Sequence, residues 1–504
     1  MSVNGPHPGQ QVPAKPSPGW KQLLALLSLV LTGLLWFNGL LESLQRPSVG
    51  NALALRQLEL QVLAEPAIPP AGRALLGGQA PLKQLRDELL HQIDQAQTPP
   101  PPSQALELAL LNAQAGQAEQ ARQELNALQA QVTPEQRPLL EALGATHHPD
   151  GGNAGNLPSE PSRQSSETSH ALGNSDQLTA SWTLSPLQQQ LVCQRLSAGP
   201  AQATLAGACA STLDPGALAQ RQHQALLRLL GVSVAPVVLL LLGSALLLRQ
   251  LWKRWRRQLP AAPALVGPPQ NLVDVTLLVA GGFVVCGELL TPLLLAPWLQ
   301  SGLGVFSRHP ALQQALTVLG MYGGLMSLPL VILWAQLRHQ GIPPQGGWLQ
   351  WRWRPLATAA RAGLLHVLMV LPLVTLVGWL MEHVVGGGSG SNPLLELVLN
   401  TANPLALALF ALTAIVLAPL FEETLFRGVL LPVIGVRYGG FWAVVVSALV
   451  FGIAHLSLGE LPALVVLGLG LGWLRLQSGR LAPSVVMHGL WNGLTFVNLL
   501  LFAG

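Results

Sequence analysis

Residues 403–424 read NPLALALFALTAIVLAPLFEET, an apolar run that ends on two adjacent glutamates. About 20 consecutive apolar residues are enough for a helix to cross a membrane. Because backbone groups in lipid must be satisfied within each segment, we expect an all-α polytopic integral membrane protein with an extracytoplasmic α-helical insertion. About nine transmembrane helices are expected, near residues 22–41, 228–248, 275–298, 314–336, 362–382, 403–424, 441–457, 461–476 and 483–502.

The composition of the 504 residues supports a membrane protein. Charged residues make up 10% of the chain and hydrophobic residues 50%, whereas ordinary soluble proteins are about 25% charged. This balance excludes a simple cytosolic enzyme. The net charge of +4 is small and the basic residues lie beside apolar segments, so no nucleic-acid partner is expected. The three cysteines are too few for a disulfide framework and lack the spacing of a metal site.

The basic residues between the apolar segments predict the topology. They fall on one side of the membrane if the spans alternate, and the positive-inside rule makes that side cytoplasmic. They are Lys253, Arg254, Arg256, Arg257, Arg338, Arg352, Arg354, Arg361, Arg427, Arg437, Arg475 and Arg480. We therefore expect a multi-pass protein of a bacterial-type inner membrane or an equivalent membrane, with a cytoplasmic N-terminal leader at residues 1–21 and the C-terminus outside.

The long segment between the first two spans is expected to form a domain of its own. It follows the anchor at 22–41 and covers residues 42–227, with a disordered linker near 149–178 that is rich in Gly, Ser, Asn and Pro. Its Cys193 and Cys209 could pair in an oxidising compartment, although two unpaired thiols fit the spacing equally well. Spans 2–5 follow in residues 228–400, and a C-terminal membrane core in residues 401–504.

Three motifs in this core place ionisable groups within apolar helices, where each is costly and therefore a candidate functional group. On a helix, Glu423 and Arg427 are one turn apart and can pair, whereas Glu422 lies about 100° around the axis and stays free to face a cavity. A carboxylate, two imidazoles and a carboxamide can deprotonate water and donate hydrogen bonds to an oxyanion, as peptide-bond hydrolysis requires. The motifs are EExxxR from Glu422 to Arg427, FxxxH from Phe451 to His455, and HxxxN from His488 to Asn492.

In this order on successive apolar helices, the motifs resemble the CPBP intramembrane endopeptidases, which include the type II CAAX prenyl proteases and bacteriocin-processing relatives. The resemblance covers roughly residues 400–504. It implies that Glu422 is the general base that activates water, and that His455 also contacts this water. It further implies that His488 and Asn492 stabilise the oxyanion. Glu423 and Arg427 would hold the first of these helices in place, with Phe451 as further structural support.

The resemblance implies a peptide hydrolase that acts on membrane-associated proteins or peptides. No HExxH motif is present and the sequence requires no cofactor. Glu422 with the two histidines fits either three zinc ligands, as in a metalloendopeptidase, or a metal-free acid/base set. Expected partners are membrane lipid, the substrate and a protein partner of the extracytoplasmic domain.

Three other interpretations are weighed against the protease. The Glu and His residues of the motifs could serve only as interhelical hydrogen bonds. A non-proteolytic membrane scaffold or immunity protein would keep the same fold and use the extracytoplasmic domain to hold partners. A transporter ranks last, because the first half of the chain has no matching broken helices.

Overall fold

The computed structural model describes residues 17–46, 49–76, 80–95, 99–145, 182, 184–197, 209–385 and 393–503. These residues form helices and connecting turns, and no strand occurs among them. The expected leader is described only from residue 17 onward. The expected linker at 149–178 lies outside the described residues, and the described part of the polar insertion is largely helical.

The helices of the first half of the chain include the expected anchor and the expected polar insertion. In chain order they are α1 (Gly19–Ser43), α2 (Val49–Ala64), α3 (Arg73–Leu76), α4 (Pro81–Gln95), α5 (Pro102–Gln114), α6 (Ala118–Gln129), α7 (Arg137–Ala145), α8 (Pro186–Ser197) and α9 (Pro215–Trp255).

The second half of the chain consists mainly of long apolar helices. They are α10 (Leu272–Phe306), α11 (Pro310–Leu337), α12 (Leu356–Val385), the short α13 (Pro393–Leu399), α14 (Pro404–Tyr438), α15 (Gly440–Ile453), α16 (Leu461–Ser478) and α17 (Ala482–Ala503).

The prediction of an all-α polytopic membrane protein is confirmed. Among the described residues, eight helices are long and apolar enough to cross a membrane, namely α1, α9, α10, α11, α12, α14, α16 and α17. The segment expected as a span at 441–457 forms the shorter α15, whose 14 residues measure about 21 Å. This helix ends early because the chain turns at Ala454 and His455, and Leu456 adopts a left-handed conformation with φ of 49°.

Two of the cations used to predict the topology are buried inside the helical core. Arg427 is in α14 and Arg475 is in α16, and both side chains are fully buried. The guanidinium of Arg475 donates hydrogen bonds to the carbonyls of Arg427 at 3.3 Å and Val266 at 2.8 Å. The positive-inside pattern therefore rests on the remaining basic residues, and the orientation stays a prediction.

The described residues within 1–49 and 236–503 form one of two compact units of the chain. Its interior is built mainly by α14–α17, where Leu425, Phe451, Leu471 and Met487 are almost fully buried. Close packing depends on small residues, because a β-carbon on Gly468 would lie only 2.9 Å from Cα of Ala448. Large apolar side chains on the outer faces are exposed, as expected for surfaces that contact lipid.

The anchor helix α1 is fixed to α10 by polar contacts between the helices. Lys21 Nζ lies 3.1 Å from Asp274 Oδ1, and Trp36 Nε1 donates to Glu288 Oε2 at 3.1 Å. The two acidic residues of α10 thus have structural partners on α1.

Residues 50–235 form the second compact unit, whose boundary falls inside α9. Leucines from several short helices build its core, including Leu85, Leu106 and Leu139, all fully buried. Cys193 and Cys209 form a disulfide, which settles the alternative that the spacing left open. Such a bond is typical of an oxidising compartment.

Two buried carboxylates lie within this second unit. Glu107 accepts a hydrogen bond from Gln188 Nε2 at 2.8 Å, and Glu59 accepts one from Arg56 Nη1 at 3.0 Å. Burial raises the pKa of Glu107 to about 7, and the charge of Glu59 acts in the same direction. Burial also raises the pKa of Glu59, against the opposing effect of Arg56.

Candidate active site

The helix that carries Glu422 is α14, and its backbone is irregular on both sides of this residue. Residues Ala418–Glu423 are α-helical, whereas Leu412–Leu417 and Thr424–Leu430 form wider π-helical turns. Such turns are frequent at functional sites. They are not visible in a hydropathy profile, because the apolar pattern runs through them unchanged.

Asn492 compensates for one of these irregular turns. In a π turn the donor to the carbonyl of Ala414 would be the N–H of residue 419, which is a proline and has none. Asn492 Nδ2 instead donates to this carbonyl at 2.8 Å. The nearby Gly489 lets α17 approach α14, since a β-carbon there would lie 2.9 Å from the carbonyl oxygen of Ile415. One of the two Nδ2 hydrogens of Asn492 is thus used to join the helices.

Glu422 differs from Glu423 in its surroundings. Its side chain is 15% exposed, whereas that of Glu423 is completely buried. The hydroxyl of Tyr322 donates a hydrogen bond to Glu422 Oε1 at 3.0 Å. The other oxygen, Oε2, has no hydrogen-bond partner among the described residues and lies 3.9 Å from His488 Nε2. One carboxylate oxygen is therefore hydrogen-bonded to Tyr322, whereas the other is buried without a hydrogen-bond partner among the described residues.

Glu423 and Arg427 together join three helices of the core. Glu423 Oε1 lies 2.9 Å from Arg427 Nη1 on the same helix and 3.0 Å from His488 Nδ1 on α17. Arg427 Nη2 donates to the carbonyl of Gly468 on α16 at 3.0 Å. The Arg427 guanidinium also lies over the ring of Phe451, 4.5 Å from its centroid. The i, i+4 contact anticipated from the spacing of Glu423 and Arg427 is present.

The contact with Glu423 defines which nitrogen of His488 can take part in chemistry. A carboxylate oxygen accepts hydrogen bonds, so Nδ1 of His488 carries the proton in this contact. Its Nε2 is then the atom that faces Glu422. This arrangement resembles the general pattern in which a carboxylate orients a histidine through one nitrogen and leaves the other free to react.

His455 lies beside this pair without contacting Glu422 directly. It occupies the turn after α15, and its Nδ1 donates to the carbonyl of Phe451 at 2.8 Å. The Phe451 ring packs against both histidine rings, with its centroid 4.7 Å from that of His455 and 5.6 Å from that of His488. The structure therefore brings Glu422, Glu423 and His488 together and connects His455 to them through Phe451.

Tyr322 is a residue of the site that the motifs do not predict. It lies on α11, 100 residues before Glu422, and outside the C-terminal core. The one signal in the sequence is its rarity, since the chain has 2 tyrosines beside 14 tryptophans. The contact of Glu423 with His488 is also absent from the sequence-based predictions, because it depends on how α14 packs against α17.

The described residues contain no group of three or more His, Cys, Asp or Glu side chains that could hold a metal ion. Nδ1 of His488 is already engaged by Glu423, and His455 packs on Phe451 rather than converging on Glu422. The arrangement thus gives no support to the three-ligand zinc alternative.

Comparisons with known proteins identify two regions of the chain. Residues 404–494 match the family model described as type II CAAX prenyl endopeptidase Rce1-like. Residues 50–211 match a domain of unknown function, DUF8675. No curated protein and no solved structure matches the chain. The first match covers the three motifs, confirms the resemblance to the CPBP family and supports a CAAX-protease-like intramembrane peptidase in general. The C-terminal membrane core therefore contains the region that is similar to Rce1-like endopeptidases.

Proposed function

We propose that this protein is an intramembrane endopeptidase that hydrolyses peptide bonds of membrane-associated proteins or peptides. The observation that carries the proposal is the pair of facing atoms Glu422 Oε2 and His488 Nε2, 3.9 Å apart within apolar helices. This gap is too long for a direct hydrogen bond, and one water molecule placed to the side of the two atoms, about 2.8 Å from each, could contact both.

Glu422 would act as the general base. Its Oε2 removes a proton from the attacking water as the water oxygen bonds to the scissile carbonyl carbon. Tyr322 holds Oε1 through its hydroxyl and so keeps Oε2 directed at the water. His455 would contact the same water through its Nε2, because its Nδ1 is engaged by the carbonyl of Phe451.

His488 and Asn492 would stabilise the negative charge that develops on the carbonyl oxygen. His488 would donate from Nε2 to this oxygen if it carries a proton on both nitrogens before the water attacks, and the buried carboxylate of Glu423 on Nδ1 would stabilise that imidazolium. Asn492 retains one Nδ2 hydrogen beside the one donated to Ala414. Glu422 then passes its proton to the leaving nitrogen, the C–N bond breaks, and a carboxylate and an amine result.

Glu423, Arg427 and Phe451 would be positioning residues in this proposal. They link α14, α15, α16 and α17 through the ion pair, the bond to Gly468 and the ring contacts. The domain limits are also part of the proposal: an extracytoplasmic domain at 42–227, spans at 228–400 and a catalytic core at 401–504. The disulfide in the second compact unit supports placing this domain outside the cytoplasm.

A comparison of membrane proteomes tests the function. Cells carrying wild type, Glu422→Gln, His455→Ala or His488→Ala at matched membrane abundance are compared for uncut proteins and released peptides. Glu288→Gln is the matched control, because it also removes one carboxylate from a span and keeps an oxygen that can accept from Trp36. We expect a substrate to accumulate uncut in the three site variants and to be cleaved in the control. Equal proteomes, combined with a phenotype on deletion of the whole chain, would favour the scaffold or immunity protein.

A further inference from the structure

A cavity of about 500 Å³ lies between α9 and α12, away from the candidate active site. The two helices cross closely at Gly243, where a β-carbon would overlap the carbonyl of Leu368 and meet Pro372. From this crossing, the end of α9 and the beginning of α12 continue toward the cavity. The residues of α9 that line it are spaced three and four apart and so share one helix face.

The polar lining of this cavity is basic. It contains Arg249 and Lys253 from α9 and Arg361 from α12, together with Gln250 and Thr358. No acidic side chain is among its described lining residues. None of the three cations forms an ion pair with any residue that the structure describes. Three like charges around one cavity repel each other, and an anion bound between them would relieve this repulsion.

The remaining lining residues of the cavity are apolar, apart from His366. Leu246, Leu365 and Met369 line it, and His366 is engaged by the carbonyl of Ala362 at 2.9 Å and by Gln477 at 3.2 Å. His366 is therefore part of the wall and is not an additional ligand for an anion.

Two exposed tryptophans on α9 indicate that this end of the helix lies near a membrane interface. Trp252 and Trp255 follow Arg249 on α9, and both are more than half exposed. Exposed tryptophans are enriched where the headgroups of a bilayer meet its hydrocarbon. The neighbouring Leu248, Leu251 and Leu364 are also exposed and offer an apolar surface beside the basic opening. The topology predicted from the basic residues places this end of both helices on the cytoplasmic side.

We propose that the cavity between α9 and α12 binds a phosphate-bearing anion, with Arg249, Lys253 and Arg361 as its ligands. The exposed leucines beside the opening favour an anionic phospholipid, whose headgroup phosphate would enter the cavity while its acyl chains lie along the apolar surface. Basic pockets between transmembrane helices on the cytoplasmic side are suited to such headgroups. Thr358 and Gln250 can donate further hydrogen bonds to phosphate oxygens.

Lipid binding by the purified full-length protein tests the proposal. Native mass spectrometry measures retention of phosphatidylglycerol against phosphatidylcholine by wild type and by two triple variants. The first variant carries Arg249→Gln, Lys253→Gln and Arg361→Gln. The control carries Arg256→Gln, Arg257→Gln and Arg437→Gln, which remove the same charge from exposed residues outside the cavity. We expect the first variant to lose the preference for phosphatidylglycerol by about tenfold or more, and the control to keep it.

A measurement with inorganic phosphate distinguishes a lipid headgroup from a soluble phosphate as the ligand. If phosphate alone protects wild type and the control, but not the cavity variant, against thermal unfolding, this result would support the same site with a soluble phosphate as its ligand. Equal loss of lipid preference in both triple variants would overturn the proposal, and so would a wild type that shows neither a lipid preference nor protection by phosphate. If the cavity variant does not fold, a photoreactive phosphatidylglycerol is used on wild type. Adducts within 246–253 and 358–369 would support the site, and adducts elsewhere would contradict it.

Discussion

The substitution Arg427→Ala tests the internal support of the candidate active site. Arg427 is completely buried, pairs with Glu423 at 2.9 Å and donates to the carbonyl of Gly468 at 3.0 Å. Its removal leaves the Glu423 carboxylate in an apolar interior without its cation. It also leaves the Gly468 carbonyl without this donor and removes the guanidinium that lies over Phe451.

The expected loss of stability follows from these contacts. Breaking a buried ion pair by removing one partner costs about 3–5 kcal/mol, because an uncompensated charge remains. Arg437→Ala is the matched control, since Arg437 lies near the end of the same helix and is exposed. We expect little change from the control. The double variant Glu423→Gln with Arg427→Met leaves neither charge unpaired, so it should recover at least about 1–2 kcal/mol relative to Arg427→Ala.

Reversible unfolding in mixed detergent micelles, followed by tryptophan fluorescence, measures these differences. The order of stability expected is wild type and Arg437→Ala highest, the double variant intermediate and Arg427→Ala lowest. Equal stabilities of Arg427→Ala and Arg437→Ala would refute the view that the buried pair supports the core. A double variant less stable than Arg427→Ala would refute the view that the cost arises from the unpaired carboxylate.

Three further predictions concern both compact units. Tyr322→Phe removes the hydroxyl donor to Glu422 and should lower kcat about 10- to 100-fold with unchanged thermal stability, as measured with a cleaved substrate; an unchanged kcat would contradict the positioning role. Replacing Cys193 and Cys209 by Ser should destabilise residues 50–235 by about 3 kcal/mol, given a sequence separation of 16, and should increase their cleavage in limited proteolysis. Because the pKa of Glu107 is about 7 folded and 4.5 in its ordinary state, the folded protein binds more protons between these values, and its stability should fall as pH rises through this window. Glu107→Gln should reduce this dependence of stability on pH. If the melting temperatures of Glu107→Gln change between pH 5 and pH 8 as much as those of wild type, the raised pKa of Glu107 is contradicted.

Much of the membrane architecture could be predicted from hydropathy. Apolar runs locate the spans because every backbone group in lipid is satisfied within its own helix. Hydropathy misses where helices continue beyond the apolar window. The span expected at 228–248 belongs to α9, which begins at Pro215 and ends at Trp255. Hydropathy also does not predict the early end of a helix. Helix α15 ends before His455, because the turn there depends on local backbone conformation.

Helical periodicity predicts part of the candidate site. Spacing places Glu423 beside Arg427 and Phe451 beside His455, and both contacts are present. Contacts between helices that are distant in sequence could not be predicted, because a single sequence does not specify how helices pack. The hydrogen bond of Tyr322 with Glu422 is an example. The hydrogen bond from Asn492 to the carbonyl of Ala414 was also not predictable. Pro419 leaves this carbonyl without a backbone donor only because the helix forms a π turn there, and the sequence does not show that turn.

The proposed mechanism depends on Glu422 as the base that activates water. Its most direct test is the single-turnover hydrolysis of a substrate found by the proteome comparison, with purified wild type, Glu422→Gln and the control Glu288→Gln. General-base catalysis contributes about 10²- to 10⁴-fold to such rates. We predict that Glu422→Gln loses at least about 10²-fold in rate while Glu288→Gln cleaves at the wild-type rate. Cleavage by Glu422→Gln at the wild-type rate would contradict the proposed mechanism.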